Sequence, residues 1–178
     1  MLEHATKLAA NLHWLTFILT GRPGLSVDVT LDALDFDDGR NAFFSSWMLA
    51  WSRRVAMAKA LAAIREEVTA SARRTACTAI NNPGLPPRNW ALDRGATKTH
   101  LQNALLAIDV FPRCALLLRV FEGLSLADTA ILLEADPDLI LKAQVIGLRE
   151  LTGNLALIQG RTDSAGSLNV GSREMQNA

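Results

Sequence analysis

Apolar residues recur at helical spacing along most of this chain, and breaker residues divide them into segments. The pattern predicts a helix over 6–20 that stops at the Gly- and Pro-containing segment 21–24. Ser26 is then expected to cap a second helix over 27–34. A long helix with room for one break follows over 42–74. Because Ala and Leu dominate and β-branched runs are scarce, we predict an all-α fold.

The signals for helix ends are densest in the C-terminal half. A helix opens at 111–112 and is expected to end near Gly123. Ser125 caps a short helix over 126–133, and Asp128 stands three residues later as the acidic half of a capping box. This short helix should therefore have fixed ends.

A further helix starts after a turn of a few residues. Asp136 suits the N-cap position, and Pro137 suits the first helical position, where its missing N–H costs nothing. The helix is expected to stop near Gly153. Two helices joined by such a turn form a helix-turn-helix motif, whose second helix enters the major groove of DNA.

Composition divides the chain into two small helical domains. The segment 76–97 is rich in Pro and Asn and is the predicted linker between domains at 5–75 and 98–158. Residues 159–178 are rich in Ser, Gly and Asn and are predicted to form a disordered tail. If the apolar last helix docks on the N-terminal domain, the molecule should be compact.

Several classes of protein are disfavoured by the same pattern. No apolar run reaches the roughly 18 residues of a membrane span, and the apolar segment 8–19 lacks the basic start and cleavage site of a signal peptide. Cys77 and Cys114 lie far apart in the sequence. Two reduced thiols in a bacterial-type cytosol are the favoured interpretation, and a disulfide between them is the alternative. We therefore predict a cytoplasmic protein without a membrane partner.

Catalytic and ligand-binding patterns are missing from the sequence. The three histidines do not stand at metal-ligand spacing, and the acidic segment 35–39 lacks the downstream glutamate of a calcium loop. We find neither a Gly-rich phosphate loop nor a nucleophile elbow. The sequence therefore predicts no enzyme, no cofactor and no metal.

The segment 111–133 reads FPRCALLLRVFEGLSLADTAILL, with Glu-Gly-Leu-Ser directly before the short helix. This segment resembles region 4 of bacterial sigma factors. Segments 15–21, 28–34 and 47–56 resemble, more loosely, region 2 of the extracytoplasmic-function sigma factors. The resemblance extends over about 8–152. It implies a region 2-like helical domain and a region 4-like helix-turn-helix domain.

The resemblance also implies a function and its partners. A sigma factor binds core RNA polymerase and directs it to promoter DNA, and many are held by an anti-sigma factor. By position, the polymerase would contact Asp28 and Asp32. Promoter DNA would contact the 47–59 helix and the last helix through Arg53, Arg54, Lys59, Asp138, Lys142, Gln144 and Arg149.

Charge departs from what DNA binding requires. Residues 96–160 carry five Lys and Arg against seven Asp and Glu, and residues 1–70 carry seven against eight. Only 71–95 is basic, with four against one. Since affinity for DNA depends on neutralising phosphates, an acidic helix-turn-helix domain is on average a poor DNA binder.

The helix expected to read DNA departs from the family in the same direction. Leu141, Ala143, Ile146 and Leu148 stand where the family has basic residues, and Glu134 replaces the usual Gly of the turn. A helix that is apolar nearly all round is buried on several sides or meets a partner. This favours a protein interface over a DNA surface.

The 47–59 helix allows two interpretations. Trp47, Met48 and Trp51 suit a platform on which melted bases stack, but the spacing of the two tryptophans also suits core packing, which we favour for Trp47. Arg53 and Arg54 suit either a DNA contact or a solvated face.

Three hypotheses follow from the sequence. The first is a divergent sigma factor that binds core RNA polymerase and reads a promoter. The second is a sigma-like protein that has lost DNA reading and binds only protein, either a polymerase subunit or an anti-sigma factor. The third, a helical enzyme, has no catalytic residues to support it. The first has the resemblance behind it, and residues 139–149 favour the second.

Overall fold

Helices form every regular element in the part of the chain that the computed structural model describes. That part comprises residues 2–34, 45–79 and 97–170, with side chains described over 6–34, 50–79 and 97–158. The predicted all-α class is confirmed. The elements are α1 (Leu2–Thr20), α2 (Pro23–Leu34), α3 (Ser45–Ala63), α4 (Arg65–Cys77), α5 (Lys98–Leu106), α6 (Val110–Leu116), a π-helical segment (Leu117–Phe121), α7 (Leu126–Leu133) and α8 (Pro137–Val170).

The first two helices meet at a sharp turn. Gly21 ends α1 as predicted, with a φ of 69° that favours glycine. The predicted cap at Ser26 is wrong, because α2 already begins at Pro23. Ser26 lies buried in the first turn, where its hydroxyl donates to the Pro23 carbonyl at 2.7 Å. Its own carbonyl accepts from the hydroxyl of Thr16 on α1 at 3.2 Å, so Ser26 joins the two helices.

The long helix predicted over 42–74 is divided into α3 and α4. Ile64 lies at the break, with φ of −114° and ψ of 20°, which departs from helical geometry. Its side chain is 1% exposed. The predicted start at 42 lies outside the described residues.

Most predicted helix ends in the C-terminal half are confirmed. Asp109 caps α6, and the π-helical segment that continues α6 is followed by Gly123 with a φ of 66°. The bounds of α7 are those predicted. The predicted end near Gly153 is wrong, because Leu151 and Leu155 on either side of it are both buried and their packing carries α8 across the glycine.

The helix α8 also enters the segment 159–178 predicted as a disordered tail, since it runs to Val170. Residues 171–178 lie outside the described residues. α8 packs chiefly against α6 and α5, and also contacts α7 and α4. Because α4 belongs to the N-terminal half, this contact is the docking of the last helix that a compact molecule requires.

One hydrophobic core extends through both halves of the chain. Buried Leu15 of α1 and Met57 of α3 belong to the same cluster as Phe111 of α6 and Ile140 of α8. Residues 80–96 of the predicted linker lie outside the described residues. The division into domains at 5–75 and 98–158 stays a prediction, and the two halves share their interior.

Candidate functional site

The helix-turn-helix predicted from the sequence is formed by α7, the turn 134–136 and α8. The Ser125 hydroxyl oxygen accepts a hydrogen bond from the backbone N–H of Asp128 at 3.0 Å, which confirms the predicted cap. The same hydroxyl donates to the Asp128 carboxylate at 2.7 Å. Asp136 accepts from the backbone N–H of Asp138 at 2.8 Å and so caps α8. Both helices thus begin at chemically fixed positions.

The turn contains a backbone conformation that is unusual for its residue. Glu134 has φ of 49° and ψ of 46°, the left-handed region that glycine adopts more readily. Its carboxylate forms an ion pair with Arg65 of α4. The Glu134 side chain therefore connects the turn to the N-terminal half.

One face of α8 packs tightly onto α6. Ile140, Ala143 and Leu151 are buried along this face. A Cβ atom on Gly147 would lie 2.7 Å from the carbonyl oxygen of Pro112, closer than atoms can pack. Glycine at this position therefore allows the two helix backbones to approach.

The opposite face of α8 is the one that a major groove would receive. Asp138, Leu141, Val145 and Arg149 are exposed along it, with Leu141 at 43% and Val145 at 41%. Phosphate binding needs cations, and this stripe supplies one, at Arg149. Aliphatic side chains can contact little in the groove beyond thymine methyl groups. We call these four residues the outer stripe of α8.

The other two predicted DNA contacts on α8 are directed towards protein. The Lys142 ammonium donates to the carbonyl oxygen of Ala76 at 2.8 Å, at the C-terminal end of α4. This position also suits a cation, because the carbonyl end of a helix is partly negative. Gln144 is half-buried, and its Oε1 is buried without a hydrogen-bond partner. Neither side chain lies on the outer stripe.

Two predicted DNA contacts on α3 are paired with carboxylates. The Arg53 guanidinium donates to both carboxylate oxygens of Glu122, with Nε 3.0 Å from Oε2. The Glu122 side chain is only 10% exposed, so this bidentate pair is largely screened from water. Lys59 donates to Asp32 at 2.9 Å, which pairs a predicted DNA contact with a predicted polymerase contact. That second pair is exposed and correspondingly weak.

Four predicted contacts stay available to a partner, and one of them is Asp138 on the outer stripe of α8. The other three are Asp28 on α2, Arg54 on α3 and Arg149 on α8, and within the described ranges none of the four forms an ion pair. Trp51 is 48% exposed, so it is not a core residue. The side chain of Trp47 lies outside the described residues.

Arg113 is a structural residue that the sequence analysis did not single out. It is 5% exposed, and its guanidinium donates to the carbonyls of Ile108 at 3.0 Å and Leu106 at 3.2 Å. A weaker contact of 3.4 Å reaches the Leu19 carbonyl at the end of α1. Burial lowers the pKa of its guanidinium below the usual value, and the charges of nearby acids act in the opposite direction. A lone charge inside the apolar run 110–118 was the signal that could have identified it.

In the described part of the chain, three ion pairs join the two halves, and in each of them the arginine belongs to the N-terminal half. Arg53, Arg65 and Arg74 of α3 and α4 each bind a carboxylate of the C-terminal half. Arg74 donates to Asp109 at 2.8 Å and 3.0 Å. Burial alone would raise the pKa of Asp109, but hydrogen bonds from Arg74, from a serine of α4 and from the backbone outweigh it and lower the pKa. These pairs engage three arginines within the molecule.

Among the described residues, no group of three or more His, Cys, Asp or Glu side chains is arranged to hold a metal ion. None of the described helices combines the length and apolarity that crossing a bilayer requires. No protein-family model, curated protein or solved structure matches this chain.

Proposed function

We propose that this protein is a sigma-factor-like component of transcription initiation that binds core RNA polymerase and makes little use of DNA reading by α8. The resemblance to sigma factors in 111–133 supports the family, and α7, the first helix of the helix-turn-helix, lies within that segment. The proposed loss of DNA reading is supported by the composition of the outer stripe of α8. It presents Leu141 and Val145 where a DNA reader needs cations.

The polymerase contact is assigned to α2. Asp28 is exposed there and forms no ion pair within the described part of the chain, whereas Asp32 on the same helix is paired with Lys59. An exposed, unpaired carboxylate can meet a basic surface without first losing an internal partner. Asp28 is therefore the stronger candidate of the two.

The outer stripe suits a protein surface, either on the polymerase or on an anti-sigma factor. Two exposed aliphatic side chains flanked by one acid and one base match the usual composition of an interface, an apolar centre with a charged rim. A duplex would leave the aliphatic groups without matching contacts and the acid near phosphates.

A second candidate function is favoured by the two exposed arginines. Arg54 and Arg149 are unpaired in the described part of the chain, so a promoter-directing sigma factor with few phosphate contacts fits them. Binding to polymerase would also have to release Arg53 from Glu122 before it could reach DNA. This candidate predicts a shallow salt dependence of promoter binding.

Binding to purified core RNA polymerase, measured by biolayer interferometry, tests the proposal. We expect the wild-type protein to bind core, and Asp28→Lys to weaken that binding by about tenfold or more. Leu141→Asp tests the outer stripe, and Leu157→Asp is its control, because Leu157 is 68% exposed on the same helix outside the stripe. Absence of core binding would overturn the proposal.

Adding promoter fragments to the core complex over a salt series separates the two candidates. The proposal predicts that the complex binds them no better than core alone and that Arg149→Ala changes nothing. Salt-sensitive binding that Arg149→Ala weakens would instead establish the promoter-directing function.

A further inference from the structure

A shallow groove lies where α3 meets α7, away from the outer stripe of α8. It encloses about 160 Å³ and is lined by the aliphatic side chains of Leu124, Ile131 and Leu132. Arg54 and Asp128 complete its lining. Ile131 is 74% exposed, the largest exposed fraction among the large apolar side chains that are described. Exposed apolar side chains that form a contiguous patch often mark an interaction site.

Further exposed apolar side chains belong to α3 and to the π-helical segment, which precede groove residues in the chain. Trp51 is 48% exposed and stands three residues before Arg54, on the same face of α3. Val120 at 50% and Phe121 at 41% directly precede Glu122, the residue that Arg53 binds. Their backbone is π-helical, a geometry often found at functional sites. The groove and these three side chains form what we call the α3–α7 patch.

The charges of the α3–α7 patch restrict what can cover it. Arg54 forms no ion pair within the described residues, and the Asp128 carboxylate accepts a single hydroxyl, that of Ser125. A nucleic acid or an acidic peptide would satisfy Arg54 but would approach Asp128 with like charge. A basic peptide has the opposite problem. An occupant that carries both an acid and a base beside an apolar group matches these charges.

We propose that the α3–α7 patch binds the same patch of a second copy of this chain. In a two-fold symmetric dimer each surface contact occurs twice, so Arg54 of one copy meets Asp128 of the other and the reverse. The protruding Ile131 of each copy fills the groove of its partner. The whole chain has a formal net charge of +0 at pH 7, so two copies do not repel each other through net charge. The inference is independent of polymerase binding, and it removes Arg54 from contact with DNA.

Sedimentation velocity of the purified chain over a concentration series tests the proposal. We expect a monomer–dimer equilibrium that Ile131→Ser weakens by about tenfold or more. Leu157→Ser removes a similarly exposed leucine from α8 and serves as the control, which should leave the equilibrium unchanged. A monomer at every concentration would overturn the proposal, as would equal effects of the two variants.

Charge reversal identifies the pairing. Arg54→Asp gives a patch with two acids, and Asp128→Arg gives a patch with two bases, so each variant alone should be monomeric. An equimolar mixture of the two variants places opposite charges at both contacts, and we expect it to form a heterodimer. Thermal unfolding of each variant shows whether it is folded, because Asp128 also belongs to the cap of α7. Failure of the folded variants to associate in the mixture would overturn the proposal.

Discussion

Glu134 combines an unfavourable backbone conformation with a contact that depends on its side chain. A left-handed φ of 49° costs an L-residue about 1–2 kcal/mol relative to a right-handed one. The ion pair with Arg65 offsets little of this, because the two side chains are 52% and 62% exposed. The turn of the helix-turn-helix is therefore under local strain.

Replacing Glu134 by glycine should stabilise the protein. We expect Glu134→Gly to raise the free energy of unfolding by about 0.5–1 kcal/mol, since relief of the left-handed strain exceeds the extra entropy of the unfolded chain. Glu134→Ala is the matched control, because it removes the ion pair and keeps the strain, and it should be neutral or slightly destabilising. Urea denaturation measures both, and equal effects of the two variants would contradict the backbone explanation.

At the scale of elements, α8 is defined by two faces with different roles. Its inner face packs on α6 through Ile140, Ala143 and Gly147, and its outer stripe is exposed. The apolar character that the sequence shows nearly all round the helix thus has two sources. Part of it is ordinary core, and part is the exposed Leu141 and Val145 of the outer stripe.

Two glycines of α8 provide a test of this packing. Gly147→Ala should lower the free energy of unfolding by about 1–3 kcal/mol, because the added methyl group meets the Pro112 carbonyl and overpacks the contact. Gly153→Ala is the control on the same helix. No atom lies within 4 Å of its added methyl group, so the better helix propensity of alanine should raise stability by up to about 1 kcal/mol. Thermal and urea denaturation give both values, and a stabilising Gly147→Ala would contradict the close approach.

At the scale of the whole molecule, the two halves share one core and are joined at its rim by ion pairs. Cys114 of α6 is a fully buried member of that core, and its thiol lies 4.0 Å from the Leu19 carbonyl oxygen of the N-terminal half. Burial raises the pKa of its thiol to about 12, so it stays protonated and unreactive while the core is closed. Cys77, by contrast, is exposed.

Thiol labelling of Cys114 should therefore report the unfolding of the whole molecule. In a Cys77→Ser variant we expect labelling of Cys114 in the native state to be at least about a thousandfold slower than in the unfolded chain. During a urea titration the labelled fraction and the loss of helical circular dichroism should share one midpoint. Labelling that precedes the loss of helix would show that the halves separate first and would support independent domains.

The sequence by itself determined the helical class and most helix ends in the C-terminal half. The cap at Ser125, the stop at Gly123 and the start at Pro137 depend on side-chain and backbone chemistry within a few residues. Such local signals are present before the chain folds. For the same reason the helix-turn-helix could be located to the residue.

Only the tertiary structure decided which candidate residues are free to bind a partner. Arg53 pairs with a residue 69 positions away, and Lys142 with one 66 positions away. The helix end expected at Gly153 was also removed by packing on both sides of it. Distant contacts and burial are set by how helices pack, because no local signal encodes them, whereas caps and turns are complete within a few residues of chain.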